Sequence, residues 1–260
     1  MSSCLIKLNF IFKLCPPLCS PEIYPLKSPF LKDINRCQQL FKIICNLKVF
    51  FALIPGDITA LDRIPRPELL KEARSAATKH GTKMMICFGG NGRSNGFSAM
   101  VRSERSRKVF LENLSLLLDK YEFDGVDYNW EYPGYMMGRG YLEEKEILRD
   151  YEGLASLVLE TKDMFEGSGR LVGMAYYPDT RQERLIKQFG IDKGVDIVYS
   201  MSYDQSGPNH SSRDLAKKTI QQAKDADLDV SKLCIGLPFY GRDDRGGELN
   251  GIVKRSITTL

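Results

Sequence analysis

From about residue 38 the chain alternates two kinds of pattern. Short, nearly unbroken apolar runs occur at 47–54 (LKVFFALI), 82–88 (TKMMICF), 124–131 (DGVDYNWE), 170–177 (RLVGMAYY), 195–203 (VDIVYSMSY) and 232–240 (KLCIGLPFY). Such runs predict strands covered on both faces, as in a parallel sheet. Between them, apolar positions recur at helical spacing. One helix is predicted from Pro67 to about His80, with Gly81 as a left-handed C-terminal cap. A second starts after Ser103, a good N-cap, and carries Phe110, Leu114, Leu117, Leu118 and Tyr121 on one stripe. A third begins near Leu142, with Leu148, Tyr151, Ala155, Val158 and Leu159 facing inward. A fourth covers 213–226, with Leu215, Thr219, Ile220 and Ala223 in register. Strands start 25 to 46 residues apart, the size of a βα unit with a right-handed crossover. The fold class is therefore α/β, either an open doubly wound sheet or a closed eight-stranded barrel. No GxGxxG links a strand to a helix, and GGNGRSNG (89–96) lacks the Lys-Ser/Thr of a phosphate loop.

Composition narrows the function classes. Of 260 residues, 43% are hydrophobic and 27% charged, which excludes a disordered chain. No run of about 18 uninterrupted apolar residues occurs, so a membrane-spanning helix is not expected. The 37 basic and 33 acidic residues give a net charge of +4, mixed along the chain, and no basic block marks a nucleic-acid partner. Seven cysteines occur without a CxxC pair, so neither a zinc site nor a cofactor is expected. Cys87 and Cys234 sit in apolar runs and are expected as buried thiols. The other five fall within the first 45 residues, where disulfides are possible if the chain is secreted.

The first 37 residues form a separate region: an irregular leader or a first strand. Met1 to Leu14 alternates like a strand, yet is also compatible with an atypical signal or an unrelated leader. Five prolines between residues 15 and 33 make an irregular connector.

The strand at 124–131 carries the candidate chemistry. Alternation puts Asp127, Asn129 and Glu131 on one face and Val126, Tyr128 and Trp130 on the other, toward the helices. Burying carboxylates without partners costs several kcal/mol, roughly, so the polar trio predicts a catalytic or ligand site over a structural ion pair. Asp124 is out of phase and is expected to cap backbone amides. Met201, Tyr203 and Asp204 close the next-to-last strand, and Tyr240 and Arg242 follow the last. In a βα barrel the carboxyl ends of the strands carry the active site. Tyrosine rings beside carboxylates suit a sugar, although each aromatic taken alone reads first as core packing. A metal centre from Asp127, Asn129, Glu131 and Asp204 is the weaker alternative.

These segments resemble glycoside hydrolase family 18, the chitinase and chitinase-like family. DGVDYNWE followed by Tyr132-Pro133-Gly134 resembles the family's DxxDxDxE signature. ICFGG (86–90), SMSYD (200–204) and GLPFYGR (236–242) are similar to its SxGG, MxYD and following strands, with Cys87 in place of Ser. The resemblance implies a (β/α)8 TIM barrel over residues 38–260, incomplete at the last strand, with the first strand left open. The sequence runs 18 residues past GLPFYGR, and its single tryptophan is Trp130, so the tryptophan that floors the sugar site in relatives is not expected.

The resemblance also implies substrate-assisted, retaining cleavage of β-1,4-linked N-acetylglucosamine polymers, in which the sugar's own acetamido oxygen attacks the anomeric carbon. Glu131 is then the general acid and later base. Asp127 orients its neighbour, and Tyr203 and Asp204 hold the acetamido group. Gly90, Met201, Tyr240 and Arg242 join Asp204 in binding chitin or chitooligosaccharide. Asn129 departs from the pattern, which has Asp there. Losing one preorganised electrostatic partner costs on the order of 10²–10³ in rate, so a slowed hydrolase is expected. A non-catalytic chitin-binding lectin is the alternative. Secretion is expected by resemblance, and of two N-x-S sequons Asn209, in a loop, is a better acceptor than Asn113, in a helix. Oligomeric state is not legible.

Overall fold

The structure, a computed structural model, describes residues 40–47, 67–90, 92–136, 138–206, 209–238, 240–242 and 248–249. The elements follow a βα order. Strand β1 (Leu40–Leu47) precedes helix α1 (Pro67–Lys79), β2 (Lys83–Gly89), the short α2 (Phe97–Val101), α3 (Glu104–Tyr121) and β3 (Gly125–Asn129). A two-stranded hairpin, β4 (Tyr135–Met136) and β5 (Gly140–Tyr141), leads to α4 (Glu144–Met164) and β6 (Leu171–Tyr176). Then come α5 (Arg181–Gln188), α6 (Ile191–Gly194), β7 (Ile197–Ser200), α7 (Arg213–Asp225) and β8 (Leu233–Ile235). A last small pair joins β9 (Gly241–Arg242) to β10 (Glu248–Leu249).

Among the described residues the main sheet has six strands in the order β1-β2-β3-β6-β7-β8, every pairing parallel. Neighbours in the sheet are consecutive βα units, so the sheet has the progression of a barrel wall, not of a doubly wound sheet. The described arc does not close.

The first described strand lies at Leu40–Leu47, a segment not predicted as a strand, which shares only Leu47 with the strand predicted at 47–54. In Leu40–Leu47 the polar Lys42 and Asn46 share one parity and the apolar Phe41, Ile43, Cys45 and Leu47 the other, so this strand is not an unbroken apolar run like the others; it pairs with β2 with Ile43 opposite Ile86. The predicted segment from 48 to 54, the region 1–37 and the chain beyond 249 lie outside the described residues.

Strand alternation divides the interior in two. Met84, Ile86, Phe88, Val126, Tyr128, Val172, Met174 and Tyr176 face the helices, in one large cluster with Phe110, Leu114, Leu117, Leu154 and Val158. Met85, Ala175, Ile197, Tyr199, Met201 and Cys234 form a smaller cluster on the opposite, inner face. Cys87 and Cys234 are both buried, as expected. The predicted inward stripes hold except at two edge positions. Leu159 of α4 and Ile220 of α7 are exposed (39% and 37%), because Leu157 and Gln222 take the buried positions beside them.

Two aspartates anchor the amino-terminal side of the sheet. Asp124 Oδ2 accepts the Met84 N–H at 2.8 Å, and Asp196 Oδ2 accepts the Val172 N–H at 2.9 Å. Each carboxylate thus caps the neighbouring strand, as expected for Asp124. Burial opposes the Asp124 charge, but the Met84 amide and the Arg74 guanidinium outweigh it and hold its carboxyl below the ordinary range.

Helix ends follow local rules. Ser103 Oγ accepts the Ser106 N–H (3.2 Å) to start α3, and Ser212 Oγ accepts the Leu215 N–H (3.1 Å) to start α7. No helix among the described residues is long and apolar enough to cross a membrane.

Candidate active site at the carboxyl end of the sheet

Strand β3 delivers the polar trio as its alternation predicts. Tyr128 turns outward and shares a hydrogen bond with Thr161 of α4 (2.8 Å), and Trp130 stacks on Phe97 at 5.1 Å. With these outward anchors fixed, Asp127, Asn129 and Glu131 are directed to the inner face. Asp127 is fully buried, whereas Asn129 and Glu131 are half-buried at the carboxyl end.

Neighbouring strands make room for the trio with glycine. Gly89 lies opposite Asn129, and Gly173 opposite Asp127. A Cβ on Gly89 would sit 2.2 Å from the Asn129 carbonyl oxygen, and one on Gly173 would sit 3.0 Å from both Asp127 Oδ1 and Tyr199. Tyr199 lies beside Asp127 on the inner face, where burial first, and then the Asp127 charge, push its hydroxyl pKa up.

Asn129 and Glu131 meet directly: Asn129 Nδ2 donates to Glu131 Oε1 at 3.0 Å. The loop after β2 holds this end of β3. The Gly90 N–H donates to the Asn129 carbonyl (2.7 Å), and the Glu131 N–H donates to Ser94 Oγ (2.9 Å). Gly90 has φ 97°, a conformation that suits glycine, so the loop can cross close over the strand end. The glycine-rich segment 89–96 therefore positions the carboxylate that follows β3.

Tyr132 follows Glu131 and lies among other tyrosines. Its ring meets Tyr177 (6.3 Å) and Tyr135 (6.2 Å) edge to face. Burial, then the adjacent Glu131 carboxylate, raise its hydroxyl pKa far above the ordinary value, so Tyr132 stays neutral.

The ends of β7 and β8 supply the other wall. Met201 is buried in the inner cluster with Tyr199, and Tyr203 is half-buried against it. Gly236 leaves space for Tyr203, whose ring a Cβ there would approach to 2.8 Å. Asp204 has a left-handed backbone (φ 65°), and its Oδ1 accepts from the Tyr240 hydroxyl at 2.7 Å. The backbone of Arg242 belongs to β9, and its side chain lies outside the described residues.

His210 also belongs here, although the sequence pattern does not mark it. Its Nδ1 accepts the Asp204 N–H at 3.3 Å, and its Nε2 lies 3.2 Å from the Tyr240 carbonyl. Nδ1 also lies 3.6 Å from Asp204 Oδ1. The ring stacks on Tyr240 and ties the loop after β7 to the segment after β8. Ser94 is the second residue the pattern misses. The signals present were the serine within a glycine-rich loop and the sole histidine beyond residue 80.

Among the described residues no group of three or more His, Cys, Asp or Glu is placed to hold a metal ion. Asn113 of α3 is 1% exposed, so its sequon is inaccessible, whereas Asn209 is exposed.

The parallel βα wall, with polar side chains gathered at the carboxyl ends of its strands, is the arrangement in which barrel enzymes carry their active sites. The chain belongs to the glycosyl hydrolases family 18, whose model matches residues 38–256. It is 28% identical to an endochitinase of Manduca sexta over 182 residues, 62% of this chain and 32% of that protein. It is 28% identical to chitinase A1 of Niallia circulans over 215 residues, 73% of this chain and 29% of that protein. The chain thus spans less than a third of either relative. Its fold is similar to that of Ostrinia furnacalis Group II chitinase catalytic domain 2, solved as a variant with (NAG)5. The TM-score is 0.61 at 21% identity, covering 77% of this chain and 57% of that one. The parallel wall is therefore part of a (β/α)8 TIM-barrel fold.

Proposed function

We propose that the chain is a chitinase-type glycoside hydrolase that cleaves β-1,4-linked N-acetylglucosamine polymers with retention of configuration. The carrying observation is Glu131 at the carboxyl end of β3, hydrogen-bonded to Asn129 and followed by Tyr132, which packs with Tyr177 and Tyr203 against the inner cluster. Glu131 protonates the leaving oxygen while the acetamido oxygen of the same sugar attacks the anomeric carbon. The glycosidic C–O bond breaks as the oxazolinium ring closes, and the leaving hydroxyl departs with the proton. Water then enters, giving its proton to the Glu131 carboxylate, and the ring reopens. Tyr203 and Asp204 hold the acetamido group, with Asp204 fixed by Tyr240 and His210. Asp127 lies behind, and Gly90, Met201 and Arg242 complete the binding wall. Asn129 Oδ1, buried and without a hydrogen-bond partner among the described residues, accepts the acetamido N–H.

Glu131→Gln tests this reading. It should abolish release of sugar from soluble chitooligosaccharides and leave their binding intact, because Gln keeps the shape and lacks the proton. Retained cleavage would remove Glu131 from the acid role.

Asn129 favours a second reading, a chitin-binding protein without turnover. Its amide cannot supply the negative charge that a carboxylate would place beside the oxazolinium ring. The same assay separates the two, since a lectin binds and releases nothing. The exposed Asn209 sequon supports secretion, and an enzymatic deglycosylation shift abolished by Asn209→Gln would test it.

A further inference from the structure

Two main-chain ties hold the segment that carries the acid. The Glu131 N–H donates to Ser94 Oγ (2.9 Å), and three residues on the Gly134 N–H donates to Asp150 Oδ2 (2.8 Å). Pro133, between them, has no N–H to offer. Ser94 stands just before α2, whereas Asp150 comes from α4 in the helix layer. On the same helix Ile147 fills the space behind Gly134, where a Cβ would lie 2.3 Å from its side chain. With φ 69° and no side chain, Gly134 seats the segment directly on α4.

The same carboxylate reaches α2. Asp150 Oδ1 accepts from Ser98 Oγ and from Arg102 Nε, each at 2.7 Å. Ser98 and Arg102, the residue that caps α2, are four positions apart and so lie on one face. Arg102 is also paired with Glu146, one turn before Asp150. The two helices pack closely, since a Cβ on Gly153 would lie 2.7 Å from the Val101 side chain. At its other end α2 meets the strand through Phe97, which stacks on Trp130 beside Glu131. Asp150 is 1% exposed, so it touches no sugar. Burying a carboxylate is costly, and packing α4 on α2 does not by itself require one. The convergence of three donors does: one from the acid's own segment and two from the helix that follows Ser94.

We propose that Asp150 is a positioning residue for the reaction, which locks residues 132–134 to α2 and thereby fixes where the Glu131 carboxyl points. This rests on the hydrolase reading above and adds to it a residue remote from the substrate. Through Asp150 the two ties on either side of the acid share one support. Release of that support lets the main chain after Glu131 shift against Ser94, and a small displacement of a proton donor costs rate more than binding.

Steady-state kinetics on a soluble N-acetylglucosamine tetramer test this, with the full chain and each variant assayed well below its own thermal midpoint. Asp150→Asn keeps the shape, but its amide turns an NH2 group toward donors that the carboxylate accepts. Its kcat should fall about tenfold with KM within about twofold. Adding Ser94→Ala should cost less than the product of the two single losses, because both act on one carboxyl. A role in helix packing alone would lower the thermal midpoint and leave kcat of the folded chain unchanged, which overturns the proposal. A raised KM at unchanged kcat, or losses that multiply, also overturns it. If Asp150→Asn loses the thermal transition, Ser98→Ala carries the test: it keeps the Arg102 pair, and kcat should fall about threefold at unchanged KM. Unchanged kcat in that variant overturns the proposal. A wild-type chain that releases no sugar overturns the hydrolase reading, and the role of Asp150 in the reaction with it. An active wild type beside an equally active Asp150→Asn chain overturns the role of Asp150 alone.

Discussion

The side-chain amide of Asn129 donates to Oε1 of Glu131 across 3.0 Å, two residues along the same strand face. An N–H donor requires that Oε1 accept. Oε1 does so in both protonation states of Glu131, as a carboxylate oxygen or as the carbonyl oxygen of the acid. A neutral Glu131 then carries its proton on Oε2. The contact therefore orients the acid without consuming its proton. What it lacks is charge: a carboxylate at 129 would share a proton with Glu131 and stabilise a cationic intermediate, and an amide does neither.

Asn129→Asp follows from this contact. The variant should cleave chitooligosaccharides at least about tenfold faster in kcat, the lower end of what one preorganised electrostatic partner contributes. Its pH–rate profile should also change shape, because two coupled carboxyls replace one. Steady-state kinetics from pH 4 to 8 measure both. An equal or slower variant would mean that the amide is not the limiting part.

The order of the βα units and the polar face of β3 were legible because each rests on local periodicity. Three other features were not. The first described strand, Leu40–Leu47, carries Lys42 and Asn46 among its apolar residues, so it does not stand out as an unbroken apolar run as the other main strands do. The β4–β5 hairpin has two-residue strands, and α5 and α6 have eight and four residues, too short for a helical pattern to stand out. Ser94 and His210 reach the site from loops, and their roles depend on backbone groups of Glu131, Asp204 and Tyr240, which no side-chain pattern encodes. In contrast, Asp124 announced its capping role by being out of phase with the trio.

Ser94 acts through the main chain of the acid. Ser94→Ala removes the acceptor of the half-buried Glu131 N–H, and an N–H left without a partner shifts to find one. A small misplacement of a proton donor costs rate more than binding. The variant should lose about tenfold in kcat with KM within about twofold, and Ser94→Thr should restore most of the loss. A raised KM at unchanged kcat would instead make Ser94 a substrate contact.

Glu183 of α5 predicts a pH-dependent gain in stability on neutralisation. Its side chain is buried, and among the described residues neither its carboxyl oxygens nor the buried Tyr176 hydroxyl has a hydrogen-bond partner of normal geometry. Burial, and then the Asp179 charge, raise its pKa above the ordinary glutamate value. The backbone amides of Glu183, Thr180 and Asp179, at and just before the start of α5, oppose that rise without cancelling it. The folded chain thus holds this proton to higher pH than the unfolded chain, whose glutamates ionise near about 4.3. In that window the native state binds more protons, so stability falls as pH rises, and the loss persists above the folded pKa. Glu183→Gln removes the ionisation and supplies an N–H donor for the Tyr176 oxygen. Its thermal midpoint should exceed the wild-type value by about 2–4 °C at pH 7, and the difference should vanish near pH 4. Thermal melts of both proteins at the two pH values measure it. A lower midpoint at pH 7 would show that the amides at the start of α5 hold the carboxylate more strongly than burial penalises it.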